Sequence, residues 1–540
     1  MKKIAILSLL LLPGVLVLQA QSLEQGVQQM NYERYESAEN TFHQVLQQDP
    51  GNGNAWYYLV KDYLAEDDLK TANDTIQSVS ENVKNDPWYK VAYGNILLEQ
   101  GKKDEAANYF NDAIKSTKEK DAGILSAVAD AQINAEQGDA NYAVDLLNKA
   151  IKRNKKNPDL YVLLGDAYRK LSNGSEAFKA YQHAIEVNEK YATAYHKLGE
   201  IFLSQKNPEM YLEYFQKAIT ADPNYAPSLY KLYVYEFNRN PAKAMEYYKD
   251  YMAKSDTSID NEYDLTDLLF TNKKYSEAIQ KADAIVKSQG EKVQPRLYKL
   301  ISYSYAEQKD SAKAFDYMQQ YFTKAADSNT VAKDYLLMGD LYATVKHNDS
   351  LAFNYFDKAV ALEKDSTERV KYFKRFADLA AADKNYSQQA KWLGKYYYAS
   401  GSATNIDLFN WGLAHYRAGE YAGADSAFGI YVSKYREQSF GYYWQAKSKA
   451  LADKDMTQGL AVPAYEKLIE VLEKNPNDAN YKKWLVEAYA YLAAYQTNTQ
   501  KNYAEAVSYF EKVLQVDPEN ADAKKYIGIL QKNLEDKGSK

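Results

Sequence analysis

No cysteine occurs in the 540 residues, which removes disulfides, thiolate metal sites and cysteine nucleophiles at once. It also removes the N-terminal cysteine on which a bacterial lipoprotein carries its acyl chains, so an anchor of that type is not expected. Histidine is nearly as scarce: His43, His183, His196, His347 and His415 are the five, scattered and not grouped with acidic residues at ligand spacing. No zinc motif, glycine-rich phosphate loop, nucleophile elbow or calcium loop is present, so no metal, cofactor or catalytic residue is expected and the chain reads as non-enzymatic. Apart from the extreme N-terminus, no apolar run approaches the roughly 20 residues that a membrane crossing requires. Positive charge is not in excess either: 67 Lys and Arg stand against 73 Asp and Glu, a net charge of -6. A chain of that sign, with its charges interleaved, does not offer the basic footprint that nucleic acid or an anionic membrane surface demands.

The first 20 residues have the layout of a secretory signal. Lys2 and Lys3 precede an apolar stretch from Ile4 to Leu18, and Leu18-Gln19-Ala20 leads to Gln21. Export is therefore expected, and in a Gram-negative bacterium the periplasm or the outer-membrane surface is the expected location.

What the chain does have is a rhythm. Alanine returns about every 34 residues at Ala38, Ala72, Ala106, Ala143, Ala177, Ala244, Ala278, Ala314, Ala352, Ala390, Ala424, Ala464 and Ala506, with Tyr211 filling the one gap in register. Four residues after these anchors stand large apolar groups such as Phe42, Phe110, Tyr181, Phe215, Phe356, Phe428 and Phe510. Twelve residues before them small residues recur, among them Gly26, Gly94, Ala131, Gly165, Gly199 and Gly412. Spacings of four and seven place residues on one face of a helix. Two helices whose axes pass about 8 to 10 Å apart need small side chains at the crossing and large ones where they diverge. Asp49-Pro50, Asp86-Pro87, Asn157-Pro158, Asp222-Pro223, Asn475-Pro476 and Asp517-Pro518 punctuate the pattern as turns between units.

This order of residues resembles the tetratricopeptide repeat, a helix-turn-helix unit of 34 residues. The clearest copies are Tyr161, Leu164, Gly165 and Tyr168 leading to Ala177 and Tyr181, and Tyr195, Leu198, Gly199 and Phe202 leading to Phe215 and Ala218. The resemblance implies an all-α solenoid, a right-handed superhelix of about 14 repeats over residues 21–520, each burying its apolar face against its neighbours. It departs from the pattern at Tyr211, at Gly394, where a packing slot is expected to be empty, and in the lengthened last two turns. Residues 521–535 read as a terminal capping helix with Tyr526, Ile527, Leu530 and Leu534 on one side. The expected organisation is a signal peptide at 1–20, repeats at 21–252, 253–403 and 404–520, and cap and tail at 521–540. Residues 253–261 and 399–405 are either hinges or merely long turns.

In this family the first helix of each pair lines the concave side. Carried across, its ligand-facing positions include Tyr57 and Lys61; Trp88, Asn95 and Leu98; Asp166 and Arg169; His196 and Glu200; Lys299 and Tyr303; and Phe409, Leu413 and Tyr416. The Lys, Asn, Asn, Lys, Arg set by which some members hold chaperone C-termini is not found. A mixed aromatic and charged stripe suits an extended peptide or protein edge. The expected function is a non-catalytic scaffold for protein or peptide partners in cell-envelope assembly or secretion. The alternative is a glycan- or peptidoglycan-binding envelope protein, with Tyr57, Trp88 and Phe409 stacking on sugars. Asp followed by Thr75, Ser311, Ser350, Ser366 or Ser426 resembles the acceptor triplet of an O-glycosylation system in the Bacteroidetes, although Asp and Ser also favour helix starts.

Overall fold

The computed structural model describes residues 22–326 and 329–538, with side chains to residue 535. The expected signal segment lies outside them. Among the described residues the chain is helical, with no strand, and it divides into two units at Gln308 and Lys309. The first unit contains α1 (Leu23–Asn31), α2 (Tyr35–Gln48), α3 (Gly53–Ala65), α4 (Leu69–Gln77), α5 (Pro87–Glu99), α6 (Lys103–Ser116), α7 (Ala122–Asn134), α8 (Ala140–Arg153), α9 (Pro158–Lys170), α10 (Gly174–Val187), α11 (Ala192–Ser204), α12 (Pro208–Ala221), α13 (Ala226–Glu236), α14 (Pro241–Met252), α15 (Ile259–Thr271), α16 (Tyr275–Gln289) and α17 (Arg296–Glu307). The second runs through α18 (Ser311–Lys324), α19 (Ala332–Thr344), α20 (Asp349–Leu362), α21 (Ser366–Ala382), α22 (Tyr386–Ala399), α23 (Asn405–Arg417), α24 (Tyr421–Lys434), α25 (Ser439–Ala452), α26 (Val462–Glu473), α27 (Tyr481–Tyr495), α28 (Tyr503–Val516) and α29 (Ala521–Gly538).

The alternation of small and large residues produces the pairing. Ala38, Ala72, Ala106, Ala143 and Ala177 are all 0 % exposed, as deep as side chains can sit. The glycines lie where the partner helix presses hardest. A Cβ added at Gly94 would come within 2.7 Å of the Phe110 ring, at Gly199 within 2.5 Å of Phe215 and at Gly412 within 2.8 Å of Phe428, and at Gly165 it would collide with Tyr181. Each aromatic is therefore seated on a bare patch of backbone sixteen residues earlier, and the next repeat covers its other side. The empty slot expected at Gly394 is in fact filled: the Trp411 indole from α23 lies over it, its Nε1 at 3.0 Å from where a Cβ would be. Tyr211 keeps the alanine register but, being too large for the crossing, stays only half-buried against Phe215 and Tyr235.

Caps set where each helix begins. Asn173, Asn207 and Asn385 accept backbone N–H bonds at the starts of α10, α12 and α22, and Asp86 and Asn157 do so ahead of Pro87 and Pro158, whose missing N–H costs nothing at a first helical turn. The lengthened C-terminal turns have their own supports. Asp453 accepts from the backbone N–H groups of Gln458 at 3.1 Å and Leu460 at 3.2 Å, and a π turn at Gln496–Gln500 leads into α28. On α29, Leu530 is buried and Ile527 packs on the core, while Tyr526 stacks on Phe510 with its outer edge exposed and Leu534 is exposed.

Within the first unit the chain also meets itself across a long sequence separation. Tyr32 donates its hydroxyl to Asp222 and sets its ring edge-on to Tyr225, with centroids 6.0 Å apart. Asp256, just beyond α14, pairs with Arg34 at 3.2 Å and accepts from the Ser37 backbone N–H at 2.9 Å.

Candidate functional site

Because α3, α5, α7, α9 and α11 are the leading helices of successive pairs, residues at matching heights on them converge on one chamber. It has a volume of about 380 Å³ and takes Tyr57, Tyr58 and Lys61 from α3, Trp88 from α5, Asp130 from α7 and Asp159 and Asp166 from α9. Tyr191, Lys197 and Tyr225 close the far side. The ring centroids of Tyr57 and Tyr58 are 5.0 Å apart and those of Tyr57 and Trp88 5.2 Å, so the three rings form one aromatic wall. Tyr57 is only 2 % exposed, and its body is structural more than accessible.

Lys61 and Asp130 form the floor, 2.7 Å apart. Burial works against the Lys61 ammonium, but the Asp130 carboxylate outweighs it and raises the lysine above its ordinary value. Asp130 also accepts from Asn134 Nδ2 at 3.0 Å and from the Tyr57 hydroxyl at 3.4 Å. A second chamber of about 310 Å³ shares Lys61 and Asp130 and continues toward Asn95 and Glu99. Asn95 is 6 % exposed, and its Oδ1 is buried without a hydrogen-bond partner. Burial also holds the Glu99 carboxyl above its usual range.

Further along, Arg169 pairs with Glu200 at 2.8 Å, Lys197 leans on Asp166 at 3.4 Å, and the Tyr181 hydroxyl donates to Asp166 at 2.7 Å. Burial would raise Glu200, yet His196, whose Nε2 lies 3.7 Å away, together with the Lys197 charge and the hydrogen bond from Arg169, carries its carboxyl well below the usual carboxylate range. His196 is 4 % exposed and bonded to Ser228 Oγ at 2.9 Å, so it orients this cluster from beneath. The structure thus brings Tyr57, Lys61, Trp88, Asn95, Asp166, Arg169, His196 and Glu200 into one stretch of the first unit. Lys299 and Tyr303 lie half-buried on α17. Phe409 and Tyr416 belong to α23, where Phe409 packs on Phe428 and Tyr431, and Tyr416 on Trp444.

Of the first chamber's lining residues named above, Tyr58, Asp130, Asp159, Tyr191, Lys197 and Tyr225 escaped the sequence reading. Asp159 holds the same repeat position as Trp88, so the register could have named it. Asp130 sits off the family stripe and Tyr191 precedes its helix, so no spacing signal marks either. Of the hydroxyls in Asp-Ser/Thr pairs, Ser311, Ser350 and Ser366 stand in first turns of helices, Thr75 lies in the last turn of α4, and Ser426 is mid-helix, donating to the Ala422 carbonyl at 3.0 Å. Among the described residues no group of three or more His, Cys, Asp and Glu is placed to hold a metal, and no helix is long and apolar enough to cross a membrane.

Family models described as tetratricopeptide or TPR repeats match residues 30–96, 89–120, 165–206, 192–225 and 491–520. No curated protein matches the sequence. Among solved structures, the C-terminal part of a TPR repeat-containing protein from Cytophaga hutchinsonii is 28 % identical over 49 % of this chain and 99 % of its own, with a TM-score of 0.27. A tetratricopeptide repeat protein from Parabacteroides merdae is 18 % identical over 47 % of this chain and 97 % of its own, at 0.30. The Cut9-Hcn1 hetero-tetramer of the APC/C is 14 % identical over 86 % of this chain and 95 % of its own, at 0.26.

Proposed function

Because the chain is a tetratricopeptide-repeat protein, we propose that it is a non-catalytic scaffold that holds protein or peptide partners against the leading helices of its repeats. The observation that carries this reading is the continuous pair of chambers floored by Lys61 and Asp130, walled by aromatic rings and fixed by salt bridges before any partner arrives. A preformed site of this kind loses little ordering entropy on binding. The proposed setting is the periplasm or outer-membrane surface of a Gram-negative bacterium, in envelope assembly or secretion, on the strength of the N-terminal sequence. Within this setting, the proposed organisation keeps the repeat blocks 21–252, 253–403 and 404–520. The groove residues proposed for contact in the first unit are Lys61, Trp88, Asn95, Asp166, Arg169 and Glu200, with Lys299 and Tyr303 on α17; Phe409 and Tyr416 are proposed separately, as contact residues of the second unit.

The test is affinity capture from an envelope extract with the full chain and with a Lys61→Ala/Trp88→Ala variant of unchanged circular dichroism. The expected result is a discrete set of proteins retained by the parent and lost by the variant. Equal retention by both would remove the chambers from the binding surface. The glycan reading is disfavoured by Tyr57, whose ring is covered and cannot stack on a sugar.

A further inference from the structure

The first chamber is rich in aromatic faces, and although its tyrosine, serine, threonine and asparagine side chains supply neutral donors, its charged groups are predominantly acidic. Four carboxylates line it, Glu33, Asp130, Asp159 and Asp166, against two ammonium groups, Lys61 and Lys197. Both ammonium groups are already engaged, Lys61 with Asp130 at 2.7 Å and Lys197 with Asp166 at 3.4 Å. Asp159 has no ion-pair partner among the described residues; it accepts only the Tyr191 hydroxyl at the chamber wall, and its charge is felt at Tyr58 and Lys61. An excess of negative charge beside the faces of Tyr58 and Trp88 is the environment that attracts a cation through both Coulomb and quadrupole terms.

A second, independent observation lies in the adjoining chamber. Asn95 Oδ1 is buried and bonded to nothing, a state that folded proteins rarely leave standing because the group has given up water without replacement. It too is an acceptor. The missing component along both chambers is therefore a donor-rich, positively charged group. An anionic ligand would meet repulsion from Asp159 and Glu33, and a purely apolar one would leave Asn95 unsatisfied. A guanidinium has five N–H donors, no acceptor, and a planar face that stacks on aromatic rings, which matches each of these demands.

We propose that these chambers receive an arginine side chain from an extended segment of a partner protein, its guanidinium lying against Tyr58 and Trp88 and hydrogen-bonded to Asp159, with the segment's own N–H groups reaching Asn95. This deepens the scaffold reading and rests on it by naming the chemistry of the partner.

The experiment uses the full chain and three blocked tripeptides, acetyl-Gly-X-Gly-amide, in which X is arginine, citrulline or glutamate, with binding read by saturation-transfer NMR and titration at low salt. Citrulline preserves the shape of arginine and removes its charge. The arginine peptide should bind about tenfold more tightly than the citrulline peptide, and the glutamate peptide should not bind. Asp159→Asn, which keeps the side-chain shape, should reduce the arginine preference about tenfold, as should Trp88→Ala, whereas Asp112→Asn on the exposed face of α6 should leave it intact. Equal binding of arginine and citrulline, absence of arginine binding, or an unchanged preference in Asp159→Asn would overturn the proposal. The outcome is separable from that of the scaffold reading: capture of partners lost on Lys61→Ala/Trp88→Ala, with no preference for arginine, would leave the scaffold and remove this inference.

Discussion

At Gly199 the backbone of α11 runs directly under the ring of Phe215, and no side chain of any size fits between them. Gly199→Leu or Gly165→Leu should therefore overpack the crossing and destabilise the fold by about 1 to 3 kcal/mol or more. Thermal denaturation should show a lowered midpoint for both, while Lys532→Ala on the exposed side of α29 should leave it within experimental error. Asp62 makes a different single-residue test. Its carboxylate is 0 % exposed, and both oxygens are without hydrogen-bond partners. Burial, followed by the fields of Glu66, Glu39 and Asp256, pushes it up to about 8. A carboxyl raised above its unfolded value of roughly 3.9 favours the folded state below that pH, and the contribution is lost as pH climbs through the folded value. The melting temperature of the parent should therefore fall relative to Asp62→Asn between pH 5 and pH 8. A difference between the two that stays constant with pH would show that Asp62 ionises as freely folded as unfolded.

A helix in this protein is defined by its ends as much as by its face. Asn173 accepts the Glu176 N–H at the start of α10, where four donors would otherwise lack partners. Asn173→Ala should cost about 1 kcal/mol, read as a lower midpoint in urea with an unchanged slope. These elements were legible in the sequence because each signal is local. The alanine at the crossing, the aromatic four residues later and the glycine twelve residues earlier report on a contact whose partners lie within one repeat. Where the signal failed, the structure had used a residue from a neighbouring unit. Gly394 looked like a vacancy because the Trp411 that fills it comes from the following helix. His196 has the sequence position of a groove residue, but Ser228 and Glu200 hold it beneath the surface. Periodicity names the helix face, and tertiary packing decides how deep each residue on that face will sit.

On the scale of the molecule, the contacts that close the first unit were invisible beforehand. Tyr32 with Asp222, and Arg34 and Ser37 with Asp256, join segments roughly two hundred residues apart, and no repeat spacing encodes them. Asp256→Ala should loosen this junction locally, seen as faster hydrogen exchange at the Ser37 amide and along α2 while the amides of α7 and α8 stay protected. Exchange that rises equally throughout would mean that the junction supports the whole unit. The same unit contains the chambers, so the register of the repeats and the chemistry of the site come from one pattern: small residues at each crossing bring the two helices of a pair close, and the leading helices of successive pairs supply the lining. Binding at that lining is the central claim. The most direct test is photo-cross-linking in the native host from a benzoylphenylalanine placed at Tyr58 in the chamber or, as a control, at Tyr526 on α29. The account predicts a discrete protein adduct from Tyr58 that is absent from Tyr526. Adducts of the same proteins in the same proportions from both positions, or none from Tyr58, would contradict it.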